Sequence, residues 1–478
     1  MVFSSLIFIF FFLPIFLSSY YLVPRRHKNG AALVWSLLFY AWGAPKVVFL
    51  LIIFSYLDYR ISLLFEYFKN YPQRRKWVLA VSIFANVSLL GYFKYSNFFV
   101  HEVNNLLVLF GQQPLQWMEI ALPIGISFFT FQKISYVLDV YRRTTEPADC
   151  FSDFLLYVAL FPQLIAGPII RYHDVARQIK YRVHSVSLFS DGVVRFSIGL
   201  GKKLLIANAM GEVADKIFSI PASFVPASYA WLGVTCYSFQ IYFDFSGYSD
   251  MAIGLGKMIG FQYRENFNMP YISQSITEFW RRWHISLSSW MKQYLYIPLG
   301  GNRCSTPRTY MNLWIVFLIS GIWHGSSWTF LAWGAYHGFF LTLDRAFWLK
   351  SSQRINKGLI TAITYIIILF SWVIFRSPDM GYAVNYSFRM VGLTSLQSVG
   401  TPIVWQEFIS NRSLSVLAVA AFLSFFPAFP LYRRICEQRF ATGFIMGGIK
   451  FAAILIVQIF SICALYNSSF NPFIYFRF

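Results

Sequence analysis

The 478-residue chain predicts an all-α polytopic membrane protein, and three observations carry that reading. It is 57% hydrophobic and only 13% charged, whereas soluble domains run near 45–50% apolar and about 25% charged. Its apolar runs recur along the whole length and are long enough to cross a bilayer core of about 30 Å. Its net charge of +20 is scattered in short basic clusters between those runs, the pattern of cytoplasmic loops rather than of a nucleic-acid surface. The expectation is about ten to twelve transmembrane helices plus re-entrant segments in a single integral membrane domain, 1–478. No internal repeat or soluble domain is visible.

The runs fall at 1–23, 31–65, 77–100, 119–141, 151–170, 190–210, 228–262, 310–349, 357–376, 413–430 and 448–466. In the first, Leu6 to Val23, no basic residue precedes the apolar stretch and Arg25, Arg26 and Lys28 follow it. A cleavable signal carries its charges in the opposite order, so this run reads as a retained span with Pro14 inside it. The second run is long enough for two short spans broken at Gly43–Pro45. "LFPQLIAGPII" (160–170) holds two prolines and a glycine. Broken backbone at membrane depth needs protein or a water-filled cavity around it, so this segment reads as re-entrant or discontinuous. Arg25, Arg26, Lys28 and the cluster Arg74, Arg75, Lys76 place two loops inside. Arg433, Arg434 and Arg439 precede a last run that then travels outward. Both termini are thus expected on the extracytoplasmic face. The five cysteines lie far apart without CxxC spacing, which gives neither a disulfide framework nor a zinc site.

Three stretches hold residues able to carry chemistry. In "NLWIVFLISGIWHGSSWTFLAWGAYHG" (312–338), His324 follows Trp323 in a strongly apolar run. An ionisable group at such depth is a functional candidate by default. A buried neutral imidazole suits a general base that takes a proton from a hydroxyl or thiol. The plainer reading is an imidazole bonded to a helix carbonyl or to Ser320 or Ser326. Gly321 and Gly325 would let a substrate chain approach the backbone. His337 lies thirteen residues on, about 220° round if the helix is continuous, so no metal pair is expected. The stretch "ITEFWRRWHISLSSWMKQYLYIPLGGNR" (276–303) packs Trp280, Arg281, Arg282, Trp283, His284 and Trp290. It reads as an interfacial anchor or as a cytoplasmic vestibule whose arginines attract donor phosphates, with His284 inside it and "PLGGNR" turning the chain back. In "YFDFSGYSDMAIGLGKMIG" (242–260), Asp244 and Asp250 are either an ion site, which keeps a carrier or flippase open, or helix caps with Ser246. The nearby glycines match neither GxGxxG nor GxxxxGK[ST]. The closing "FIYFRF" (473–478) is either an aromatic interface anchor or a site with one nucleophilic hydroxyl, Tyr475.

These stretches, with "LGYFKYSNFF", "LPIGISFFTFQKISYVLDVYR", "FPQLIAGPIIR" and "ENFNMPYISQSITEFWRRWHISLSSW", resemble the membrane-bound O-acyltransferase family over nearly the whole chain. The likeness is to its bacterial branch, whose members acetylate alginate, peptidoglycan and cellulose. The resemblance implies a ring of tilted helices around a trans-membrane tunnel in a bacterial inner membrane. It implies O-acetyl transfer from cytoplasmic acetyl-CoA, no bound cofactor, and delivery to an extracytoplasmic polysaccharide through a periplasmic SGNH-type acetyltransferase. The family's "WHG" and "RRWH" histidines fall on His324 and His284, implied catalytic, with Trp280, Arg281, Arg282 and Trp323 on the donor path. Where relatives read "LRDYLY" this chain has "MKQYLY" (291–296). A related D-alanine system carries an "FIYxxF"-like motif on a separate subunit, whose tyrosine is implied to hold the acyl group. Here Phe473, Ile474, Tyr475 and Phe478 match it, making 468–478 an implied extracytoplasmic acyl-relay motif.

Overall fold

The computed structural model describes residues 2–165, 167–393, 408–429, 444–467 and Phe473. All regular structure among them is helical, and the chain divides into two units, residues 1–193 with 252–264 and residues 194–251 with 265–478. Tyr475 and the basic cluster Arg433, Arg434 and Arg439 lie outside the described residues.

In the first unit α1 (Leu13–Leu22) follows a widened π-type turn at Phe8–Phe12. Pro14 has no N–H for the carbonyl a turn earlier, and such a gap is where a helix ladder widens. The expected break at Gly43–Pro45 separates α2 (Lys28–Gly43) from α3 (Val47–Tyr67). Next come α4 (Pro72–Leu109), with proline in its first turn, and α5 (Ile126–Tyr141). The run predicted from 119 becomes helical only at Ile126, because Gly125 sits at φ +78° against the carbonyl of Leu164, which a Cβ would meet at 2.7 Å. The proline-rich segment is discontinuous: α6 (Phe151–Ala159) stops, one turn follows at Phe161–Leu164, and residues 167–171 are irregular. Its backbone groups find protein partners, Phe161 N–H donating to Ser36 Oγ at 3.1 Å and the Ile170 carbonyl accepting from Tyr157 at 2.9 Å. That is the condition for irregular backbone at depth. α7 (Tyr172–Lys180) and α8 (Val186–Gly201) complete the order before the chain enters the second unit within α8.

The second unit carries the candidate site. After α8 come a widened turn (Lys202–Ala207), α9 (Asn208–Phe218) and α10 (Ala227–Met258). α10 runs unbroken through Asp244 and Ser246, so neither caps nor breaks a helix; Asp244 is held there by an ion pair described below. Two short helices follow, α11 (Ile276–Arg282) and α12 (Ile285–Met291). The single run expected over 310–349 is a helix pair, α13 (Thr306–His324) and α14 (Trp328–Leu343), with the reversal at Gly325–Ser327. Beyond it lie α15 (Lys357–Arg376), α16 (Met380–Met390), α17 (Asn411–Phe425) and α18 (Phe444–Asn467). Four described helices are each long and apolar enough to cross a membrane: residues 47–67, 72–109, 357–376 and 411–428. Trp283, Trp333, Trp372 and Phe375 anchor the buried aromatic core of this unit.

Candidate active site

Both histidines singled out from the sequence are buried in that core, and backbone geometry sets each one. Ser275 caps α11 by accepting from Glu278 N–H at 3.0 Å, while Glu278 reaches back to accept from Gln274 N–H, one residue before the cap, at 2.8 Å. The helix stops at Trp283 and His284 takes a left-handed conformation, φ +43° and ψ +53°. For a residue with a Cβ that costs about 1–2 kcal/mol, so its surroundings must hold it. Asn266 does this. Its carbonyl oxygen stands 3.2 Å from His284 Nδ1 and accepts from Ser286 N–H and Oγ–H at 3.1 and 2.9 Å. Its amide donates to Ser249 Oγ at 3.0 Å. The imidazole lies edge-on to Phe245 with ring centres 4.7 Å apart and faces Trp323 at 6.3 Å.

His324 ends α13 and sits in an aromatic box: Trp323 and Trp333 at 4.9 Å each and Phe375 at 5.5 Å. Trp323 therefore neighbours both histidines. The flanking glycines serve the helix pair rather than a substrate. A Cβ on Gly321 would overlap the Phe330 carbonyl and crowd Gly334, one on Gly334 would overlap the Phe317 carbonyl, and one on Gly325 would overlap the Phe330 ring. α13 and α14 thus cross backbone to backbone, leaving no room for a ligand there. The 220° relation to His337 fails with the continuous helix it assumed. On α14, His337 packs against the Trp333 ring, 4.8 Å away, and its Nδ1 accepts from Trp280 Nε1–H at 3.3 Å. Among the described residues no group of His, Cys, Asp and Glu could hold a metal ion.

Trp280 is also a wall of a cavity of about 330 Å³. Leu287, Met291, Leu313, Val316, Phe317 and Leu341 make it apolar, Thr277, Ser288 and Ser320 give it hydroxyls, and Arg281, Lys292 and Arg345 stand at it as cations. Arg281 and Lys292 make no ion pair among the described residues, whereas Arg282 is held by Glu278 at 2.8 Å. Thr277 and Arg281 also line a neighbouring polar recess of about 530 Å³, with Asn268, Gln274 and Gln353. The arrangement suits a ligand with an apolar arm and an anionic head.

The third stretch is an anchor point. Gly199 and Gly247 let α8 and α10 approach until a Cβ on either would meet the other's carbonyl at 2.5–2.7 Å. Lys203 then reaches Asp244 at 2.5 Å with both side chains buried. Asp250 lies between Lys202 and Arg195, 2.7 Å from each. Both carboxylates are thus matched by cations. Phe473 is buried against this pair, 4.9 Å under Lys203 Nζ and edge-on to Tyr248 at 4.5 Å. Replacing Lys203 by Met leaves a buried carboxylate unmatched and is expected to lower stability by about 3–5 kcal/mol. Adding Asp244→Leu to it should restore part of the loss, measured as melting temperature in detergent. Equal melting for Lys203→Met and the parent would exclude the pair as a structural anchor.

Asn266, Trp333, Phe375 and Lys203 were not legible as site residues. Asparagine and tryptophan are unremarkable in such a chain, and Lys203 sits in "GLGKK", which reads only as a failed phosphate loop. A buried-cation signal for Lys203 appears only once Asp244 is known to face it.

A sequence model of the membrane-bound O-acyltransferase family matches residues 150–375, a span containing both buried histidines and the 330 Å³ cavity. The chain is 46% identical over 413 residues to a probable alginate O-acetylase of Pseudomonas aeruginosa, covering 86% of this chain and 77% of that protein. It is 42% identical over 498 residues to a probable alginate O-acetylase of Pseudomonas putida, with 100% of both chains covered. It is 37% identical over 446 residues to a peptidoglycan O-acetyltransferase of Helicobacter pylori, covering 86% of this chain and 84% of that one.

Proposed function

The chain belongs to the membrane-bound O-acyltransferase family, and from that membership we propose that it draws acetyl groups from cytoplasmic acetyl-CoA for O-acetylation of an extracytoplasmic polysaccharide of the alginate or peptidoglycan kind. The observation that carries the proposal is the apolar cavity with three cations at its edge, whose Trp280 wall belongs to the same aromatic core as His284 and His324. In this reading the pantetheine arm lies along the apolar wall and Arg281, Lys292 and Arg345 attract the phosphates. His324 takes the proton of an attacking hydroxyl. The hydroxyl oxygen bonds to the thioester carbonyl carbon, the C–S bond breaks, and the thiolate recovers the proton through the imidazole. His284, held by Asn266, flanks the reacting groups across Trp323.

The hydroxyl we assign is that of Tyr475, two residues beyond Phe473; two residues of chain reach at most about 7 Å. The buried seat of Phe473 beside Tyr248 and Lys203 supports the assignment. The acetyl-tyrosine would form on the extracytoplasmic face of an inner membrane, both termini lying there, and a periplasmic acetyltransferase would collect it. The ion pairs on Asp244 and Asp250 speak against the alternative of a carrier without chemistry. The test is incubation of the purified chain with [14C]acetyl-CoA and mass spectrometry of its C-terminal peptide. A gain of one acetyl group on Tyr475 is expected; a peptide without it under conditions of net transfer would remove the relay.

A further inference from the structure

The mechanism above leaves one buried imidazole unused. His337 is fully buried, and its ring is enclosed by Trp333 at 4.8 Å, Trp280 at 5.1 Å and Phe279, nearly parallel, at 6.4 Å. It does not reach the reacting groups, because the Trp333 ring packs edge-on against both His337 and His324, 4.8 and 4.9 Å away. What it does touch is Trp280 Nε1, 3.3 Å from its Nδ1. The indole N–H can only donate, so Nδ1 is the acceptor and the ring carries its proton on Nε2. That second nitrogen is buried with no hydrogen-bond partner among the described residues. The one polar bond of this side chain therefore goes to a wall of the cavity.

We infer that His337 is a positioning residue for the donor: by accepting the Trp280 N–H it holds the indole flat as the cavity wall. The inference rests on the reading of that cavity as the acetyl-CoA site. Without the acceptor, the indole N–H is left in an apolar core, a state that buried donors avoid. Other oxygens bordering the cavity include Thr277, Ser288 and Ser320. Turning toward them would swing the ring into the space the pantetheine arm needs. His337 thus sets how well the donor binds, whereas His324 sets how fast the bound donor reacts.

Steady-state acetyl transfer by the full chain, varying acetyl-CoA, tests this. His337→Phe keeps the ring and removes the acceptor; it should raise KM for acetyl-CoA about 10-fold while kcat stays within about 2-fold. His337→Asn, whose amide oxygen replaces Nδ1, should recover most of the parent KM. Trp280→Phe should raise KM to a similar degree, and the double variant His337→Phe, Trp280→Phe should be no worse than either alone. Should His337→Phe fail to assemble, the Asn rescue and the Trp280→Phe value still decide. A fall in kcat at unchanged KM, or additive effects of the two substitutions, overturns the inference. Ser288→Trp, which fills the cavity without touching His337, separates the two claims. If it leaves KM unchanged, the donor assignment fails; if it raises KM while His337→Phe does not, only the positioning role fails.

Discussion

Replacing His324 with alanine is expected to lower acetyl transfer by about 10²- to 10⁴-fold, the range a positioned general base contributes. The side chain is an imidazole in an aromatic box of Trp323, Trp333 and Phe375 at the end of α13. It is the group assigned to take the proton of an attacking phenol or alcohol. Removing the imidazole also opens a void, so the comparison must be made on protein shown to be assembled, by size-exclusion profile and melting temperature. Acetyl-CoA should still bind, because the cavity wall and its cations are untouched, and KM should move little. His324→Asn fills the void without restoring a base and should be as inactive as the alanine. Transfer within about 3-fold of the parent in either variant would rule out His324 as the base. A carrier reading makes the opposite forecast, with Asp244→Asn, Asp250→Asn inactive and His324→Ala active.

Tyr475→Phe is expected to reduce polysaccharide acetylation to background in cells while leaving the level and folding of the protein unchanged. The substitution deletes a single oxygen and keeps the ring, so a loss would assign the hydroxyl itself. Phe473→Ala probes the same segment through its seat. That ring is buried between Tyr248 and Lys203, and truncating such a ring costs about 3–5 kcal/mol of docking. Its product should keep the tyrosine but present it poorly, giving partial acetylation where Tyr475→Phe gives none. Acetylation at parental level in Tyr475→Phe would remove the relay.

The helical class and most element positions were legible because apolar runs and proline or glycine interruptions report directly on what a bilayer allows. The breaks at Gly43–Pro45 and in 160–170 appear where those residues stand. His324 stood out because an isolated ionisable side chain in an apolar run is rare, whereas His284, beside Arg281 and Arg282, was picked out by the family resemblance. What the sequence hid were relations between helices. Asp244 looks like a cap until Lys203, on another helix, is seen 2.5 Å away. Gly321 and Gly325 look like an opening for substrate until Phe330 and Gly334 are found against them. His337 appeared remote from His324 because Gly325–Ser327 was read through as helix, although glycine followed by serines is itself a stop signal. Asn266 gave no sign, since an asparagine that orients a histidine looks like any loop asparagine.

The backbone-to-backbone crossing of α13 and α14 bears on how such an enzyme diversifies. With glycine against carbonyl at Gly321 and Gly334, His324 is carried on a bracket that tolerates no added atom. Natural drift or directed evolution toward a different donor must therefore work elsewhere. Leu287, Met291, Leu313 and Val316, on α12 and α13, are ordinary side chains bordering empty space. They can shrink or grow one methylene at a time at modest cost. The shape of this cavity is thus free to vary across descendants of the scaffold, while the crossing that carries His324 stays fixed beside it.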